Sequence, residues 1–328
     1  MSLARDLTHY AIFTKVEREK RPRIVMQGNL TLAVDVSPSR GNPNPPKRGV
    51  VKGFSKASRK SMIRQCAKMG KAIPVFLTLT YGSRFPSDPK QWKRHLASFG
   101  KRLIRYNSEL SAIWRLEPQK RGAPHYHLLI YQSNGKAPFV PKKWIAKAWS
   151  EVLGDYSDSK HLAAGTRIES LDSSRGAAFY VAKYVAKLSE DEDFLEEWSR
   201  AGRLWGSFNK SALPMAKQHE MLLHSEMEQS ATLFAMRDCY TRAFLDKKVK
   251  SYKDSGVSPA HAYMLAKDDL KELIKDDEHF GNTVTYYGNA EDFIKELSFK
   301  ILNLQGRFES ERGFSAIQSL ADRYAAAL

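Results

Sequence analysis

The chain reads as an α+β protein, and three observations carry that reading. Short runs rich in β-branched and aromatic residues alternate with amphipathic helical stretches. Two of the runs, 112–117 and 125–131, lie close enough to form the arms of one antiparallel hairpin. Beyond Pro214 the pattern changes to long helical periodicity, which places a boundary near residue 215.

Residues 1–50 form an N-terminal extension, partly mobile. It has a charge-rich stretch at 15–23, a weakly alternating run at 29–36 that suits an edge strand, and a Pro/Gly/Asn segment at 37–47. The central domain occupies 51–214. It opens with a basic helix over 56–71, with Met62, Cys66 and Met69 at helical spacing. Pro74 introduces a strand at 75–81, rich in β formers. Ser87 caps the next helix, with Asp88 and Pro89 in its first turn and Trp92, Leu96, Phe99 and Leu103 as its buried stripe.

The hairpin follows, its arms joined by a loop from Pro118 to Pro124. Simple antiparallel pairing sets Glu117 opposite His125 and Arg115 near His127. Pro141 begins a helix carrying Ile145, Ala148, Trp149 and Val152. A strand at 166–171, a helix from about 174 to 187, and an acidic run at 190–193 come next, and 203–209 reads as a last strand or turn. The region 215–328 is helical, with Ser258 and Pro259 starting one helix and Asn289 capping another ahead of Phe293, Leu297 and Ile301.

A hydrophobic fraction of 42% fits a folded chain, and a net charge of +17 points to a polyanionic partner, since Lys and Arg that neutralise phosphates release counterions. Two cysteines give neither a disulfide framework nor metal-cluster spacing, which suits a reducing cytoplasm. No apolar run reaches the ~20 residues of a membrane span, and no phosphate-binding Gly-x-x-x-x-Gly-Lys loop is present.

His125 and His127, two apart on a strand, share one face. With Glu117 across the hairpin they make a two-imidazole, one-carboxylate set that accepts Mg²⁺, Mn²⁺ or Zn²⁺ and leaves coordination positions open. The plainer reading is a polar sheet face. In the helix at 174–187, Tyr180, Lys183, Tyr184 and Lys187 fall within one ~100° stripe, while Phe179, Val181, Ala182, Val185 and Ala186 cover the rest. Tyrosines at this spacing are ordinarily core, but lysines interleave these. The alternative is a pair of phenol nucleophiles roughly 6 Å apart, each with an ammonium group one turn on.

These motifs resemble the HUH endonucleases, in particular the two-tyrosine rolling-circle replication initiators of phages and plasmids, of the gene A type found in small single-stranded DNA phages. Three blocks match in order: Phe76-Leu-Thr-Leu-Thr80, His125-Tyr-His127, and Tyr180-Val-Ala-Lys183-Tyr184. The resemblance covers about 55–210. It implies an RRM-like antiparallel sheet of about five strands flanked by helices. It also implies Tyr180 and Tyr184 as nucleophiles, Lys183 as a phosphate-holding residue, and His125, His127 and Glu117 as ligands of Mg²⁺ or Mn²⁺. The implied activity is site- and strand-specific nicking and rejoining of single-stranded DNA through a 5′-phosphotyrosine. The implied setting is a replication origin in a bacterial or phage-infected cytoplasm, with a host helicase recruited.

Lys187, Lys120, Arg121, Lys142 and Lys143 are the candidate DNA contacts. A two-tyrosine transposase or relaxase shares the chemistry and stays open as an alternative. So does a non-catalytic basic nucleic-acid binder, which predicts exposed stacking aromatics on the sheet face. A metal-dependent hydrolase without covalent chemistry is the remaining rival.

Overall fold

The computed structural model describes residues 23–34, 53–171, 198, 200–224, 226–276 and 283–287. The elements in chain order are β1 (Arg23–Gln27), β2 (Leu30–Val34), α1 (Lys56–Ala67), β3 (Val75–Thr80), α2 (Pro89–Tyr106), β4 (Leu110–Pro118) and β5 (Pro124–Gln132). Then come α3 (Lys142–Leu153), α4 (Ser159–Ala164), β6 (Thr166–Ser170), β7 (Trp205–Phe208), β8 (Gln218–Leu222), α5 (Glu226–Asp254), α6 (Pro259–Asp276) and β9 (Thr283–Tyr287). The chain divides into two compact units: 27–29 with 46–217, and 1–26 with 30–45 and 218–328.

The unit built on 46–217 holds a five-stranded sheet in the order β6-β3-β5-β4-β7, antiparallel at every pairing. Strand alternation gives it two distinct faces. On one face Val75, Leu77, Leu79, Leu110, Ala112, Trp114, Leu116, Tyr126, Leu128 and Ile130 form a core with α2 and α3. The stripe expected on α2 is the buried one: Trp92, Leu96, Phe99 and Leu103 are all sealed from solvent. Each such large side chain contributes on the order of 2–3 kcal/mol through apolar area removed from water. Ile145, Ala148 and Trp149 of α3 close the same core, with Val152 partly buried against it.

The other face is split between two environments. Phe76, Ile113, Leu129 and Tyr131 lie in a second core with Met62 of α1, Met69, Ala72 and Leu213. Towards the far ends of β3, β4 and β5 the same face carries Thr78, Thr80, Arg115, Glu117, His125 and His127. α1 ends at Ala67, short of the 56–71 span expected, and Met69 packs from beyond its end.

The cap of α2 is Asp88, not Ser87: its carboxylate accepts from Lys90 N at 2.9 Å. The reason is Pro89, which occupies the first helical turn and forces the residue before it into an extended conformation, the backbone state of an N-cap. Pro141 likewise sits at the N-cap of α3 rather than inside it, and β6 ends at Ser170.

Thr80 is fastened from several directions. Its N–H and Oγ1 both donate to Gly165 O, at 2.9 and 3.0 Å, and its carbonyl accepts from Trp149 Nε1 at 2.7 Å. His161 Nε2 lies 2.7 Å from the same carbonyl. Because Thr80 pairs with His125, these bonds fix the end of β3 against the histidine strand.

Lys93 of α2 reaches the Arg203 carbonyl and lies 4.6 Å above the Trp114 ring. Burial, then repulsion from Arg203, lowers its ammonium from 10.5 to about 8. Between those values the unfolded chain binds more protons than the folded one, so stability rises with pH across that window. We expect urea unfolding to show the protein gaining ~1–2 kcal/mol from pH 7.5 to 9.5 relative to Lys93→Met. Parallel pH profiles in the two proteins would contradict this.

The other unit carries a four-stranded sheet in the order β8-β1-β2-β9 and the helices α5 and α6. β2 pairs with β9 from Leu30 opposite Tyr287 to Val34 opposite Thr283, so the run at 29–36 lies inside this sheet and not at its edge. Among the described residues the C-terminal region is helical over Glu226–Asp254 and Pro259–Asp276, as expected, and it also contributes two strands that the periodicity did not reveal. Asn289, Phe293, Leu297 and Ile301 fall outside the described residues.

Candidate metal centre

The β4–β5 register follows the simple hairpin rule: Glu117 pairs with His125 and Arg115 with His127. β3 on the other side sets Thr80 opposite His125 and Thr78 opposite His127. Period-2 alternation therefore turns Thr78, Thr80, Arg115, Glu117, His125 and His127 to one face. The loop 119–123 that joins the arms is closed by Gln119 N to Ala123 O at 2.9 Å and Gly122 N to Gln119 O at 2.8 Å. Gly122 has φ +80°, a conformation that a Cβ would disfavour.

Donor atoms of Glu117, His125 and His127 all lie within 4.8 Å of one another. His127 Nε2 is 2.6 Å from Glu117 Oε1, and the two imidazole centroids are 4.5 Å apart at 85°. Each of the three also has a contact on another atom. Thr78 Oγ1 lies 3.3 Å from His127 Nδ1, Gln119 Nε2 lies 3.3 Å from His125 Nδ1, and Arg115 approaches Glu117 Oε2 at 3.4 Å. Such outer contacts hold ligand side chains in orientation and leave the opposite atom directed inward. Phe76 adds a stacked contact on His127 at 5.2 Å.

Burial pushes the Glu117 carboxyl up, but the hydrogen bond with His127 and the nearby charges of His127, Arg115 and His125 outweigh it and hold the group below its ordinary value. Burial, reinforced by His127, lowers His125 to about 4. A neutral imidazole and an ionised carboxylate are the forms that ligate metal, so the electrostatics suit the donor set. Two imidazoles and one carboxylate fit a divalent cation with coordination positions left for substrate.

Arg121, expected as a DNA contact, folds back: its guanidinium donates to Tyr81 O at 2.8 Å and to Gln119 Oε1 at 3.1 Å, and lies over Phe85. It thereby steadies the amide that touches His125. Lys120 is exposed on the same loop. Lys142 and Lys143 are exposed at the start of α3, which packs on the opposite face of the sheet. Tyr180, Lys183, Tyr184 and Lys187 lie outside the described residues.

The sequence reading missed Thr78 and Gln119. Thr78 was within reach, since it belongs to the Phe76–Thr80 block and alternation puts it on the histidine side. Gln119 has no such signal, because its position depends on the loop closing back on itself.

Residues 74–189 match the family model for replication-associated proteins of the ORF2/gene II protein type. The replication-associated protein of Pseudomonas phage Pf3 is 25% identical over 153 residues, which covers 45% of this chain and 52% of that protein. The chain thus spans about half the length of the curated relative it matches. No solved structure gives a significant match. The likeness to phage replication initiators read from the motifs is borne out over this segment, which contains the hairpin and the tyrosine stretch.

Proposed function

We propose that this chain, a phage-type replication-associated protein over 74–189, is a rolling-circle replication initiator that nicks and rejoins one strand of DNA. The observation that carries the proposal is the convergence of Glu117, His125 and His127 within the matched segment. In this reading the three would hold a divalent cation, Mg²⁺ or Mn²⁺, which would supply positive charge to polarise a phosphoryl oxygen and position the scissile phosphate. Thr78, Arg115 and Gln119 keep the ligand atoms convergent.

The phenol of Tyr180 or Tyr184 attacks the phosphorus and gives up its proton. The bond to the 3′-oxygen breaks, that oxygen takes a proton, and a 5′-phosphotyrosine and a free 3′-hydroxyl result. Lys183 and Lys187, three and seven residues after Tyr180 in the sequence, would offer their ammonium groups to the phosphate. The phosphotyrosine conserves the bond energy, so attack by a 3′-hydroxyl rejoins the strand without a nucleotide cofactor. The free 3′-hydroxyl primes synthesis, and a host helicase opens the duplex. The setting is a bacterial or phage-infected cytoplasm. No helix among the described residues is long and apolar enough to cross a membrane.

The non-catalytic reading calls for exposed stacking aromatics on the sheet face. Of the aromatics on the histidine face, Phe76 and Tyr131 are buried and Trp205 is partly buried against the same core, which favours the catalytic one.

The test is a denaturing gel of labelled single strands, taken from the replicon that encodes the chain, with Mg²⁺ or Mn²⁺ and with EDTA. The expected result is a slow-migrating, protease-sensitive adduct in metal only. Its absence with both metals across all strands would overturn the proposal.

A further inference from the structure

We propose that Tyr106, Phe139 and Trp144, together with Lys142 and Lys143, form a second contact for single-stranded DNA, on the side of the sheet turned away from His125 and His127. The proposal rests on the reading above for its ligand class, and on separate observations for its place. Phe139 is 83% exposed and Tyr106 43% exposed, and they are the aromatic members of the few large apolar side chains that this domain leaves exposed among its described residues. Tyr106 ends α2, and its ring lies 4.5 Å from that of Trp144 in the first turn of α3, at an angle of 38°. Trp144 also packs against the main core, so the pair is a platform anchored to the fold.

Phe139 follows Pro138 and precedes the N-cap Pro141 by two residues. Proline fixes φ on both sides, so this ring stands on stiffened backbone and loses little entropy when it stacks. Lys142 and Lys143, both exposed, follow at once, with Lys136 and Arg105 exposed on the adjoining segments. Aromatic faces interleaved with cations are the surface chemistry that single strands use: bases stack while phosphates meet ammonium groups. Of the acids nearby, Glu151 on α3 is engaged by Arg102 and Lys147, and Glu109, exposed just after α2, accepts from Gln132 Nε2 at 3.1 Å.

The patch is not an extension of the metal centre. α2 and α3 cover the opposite sheet face. Tyr106 also lies near the Leu110 end of β4, and seven residue steps along the strand, about 23 Å, separate Leu110 from Glu117. A strand held there is held whether or not its scissile phosphate is engaged, as keeping a displaced strand close requires.

The experiment is fluorescence anisotropy of the full chain with labelled oligo-dT of about 16 nucleotides in EDTA, over a salt series. Phe139→Ala is expected to weaken binding about tenfold, the loss of one stacked base. Lys142→Glu with Lys143→Glu is expected to weaken it further and flatten the salt slope by about 1.4, two phosphate contacts for a single strand. All these side chains are exposed, so the variants keep the fold, and light scattering checks their mass. Unchanged affinity and slope in every variant would overturn the proposal. So would a wild-type self-association that Phe139→Ala abolishes, since the patch would then be covered by a second copy. If no form of the protein makes an adduct while the dT effects persist, the nicking proposal fails and this one stands.

Discussion

His127→Ala is expected to lower single-turnover strand cleavage by at least about 10²-fold while leaving the protein folded. The imidazole it removes is the most constrained group of the centre, with Thr78 at Nδ1, Glu117 at Nε2 and Phe76 stacked on the ring. Its loss leaves one imidazole and one carboxylate, and Glu117 then answers to Arg115 without the imidazole to oppose it. Calorimetric titration with Mn²⁺ is expected to show weakened binding in step with the loss of cleavage. That concurrence separates a ligand from a residue that only contacts DNA.

Glu117→Gln is the less clean probe. It removes a charge from the proposed ligand set but also weakens the ion pair that Glu117 makes with Arg115, 1% exposed, at 3.4 Å, and weakening a buried ion pair costs stability of its own. Cleavage by His127→Ala within threefold of the unaltered protein, with its Mn²⁺ binding retained, would remove the triad from the mechanism.

The centre was legible because its geometry follows from local rules. Strand alternation brings His125 and His127 to one face, and hairpin pairing adds Glu117, so neither step needs knowledge of the tertiary fold. The core stripes of α2 and α3 were legible for the same reason, since their periodicity directly records burial.

What the sequence concealed depends on chain closure. Pairing of β2 with β9 joins residues some 250 apart in the sequence, and nothing in Leu30–Val34 announces its partner. Ser and Asp serve equally as N-caps, so the Asp88 cap turned on how Pro89 restricts its predecessor. Arg121 illustrates a different limit. A basic residue beside a metal site reads as a phosphate contact, and nothing in the sequence signals that this one, still exposed, also bonds to the Tyr81 carbonyl and the Gln119 amide.

Tyrosine replacement has the other large expected effect. Tyr180 and Tyr184 lie four apart, so in a helix they share a face with their hydroxyls within reach of one phosphate in turn. An ordinary phenol ionises near pH 10, so the attack proposed above would depend at neutral pH on help from the cation and from Lys183 and Lys187. Phenylalanine keeps the ring and its packing and removes only the attacking oxygen, so the substitution isolates the chemistry from the fold. Tyr180→Phe combined with Tyr184→Phe is expected to form no protease-sensitive DNA adduct in Mg²⁺ or Mn²⁺, while still binding the metal and the strand. Each single variant separates two mechanisms. An adduct that survives in both means that either phenol can begin, so that one holds a cut end while the other cuts again. An adduct that survives in only one assigns initiation to the tyrosine which that variant retains. An adduct of undiminished yield in the double variant would mean that the covalent bond is made elsewhere, and the stripe of phenols and ammonium groups would then be a surface for holding DNA.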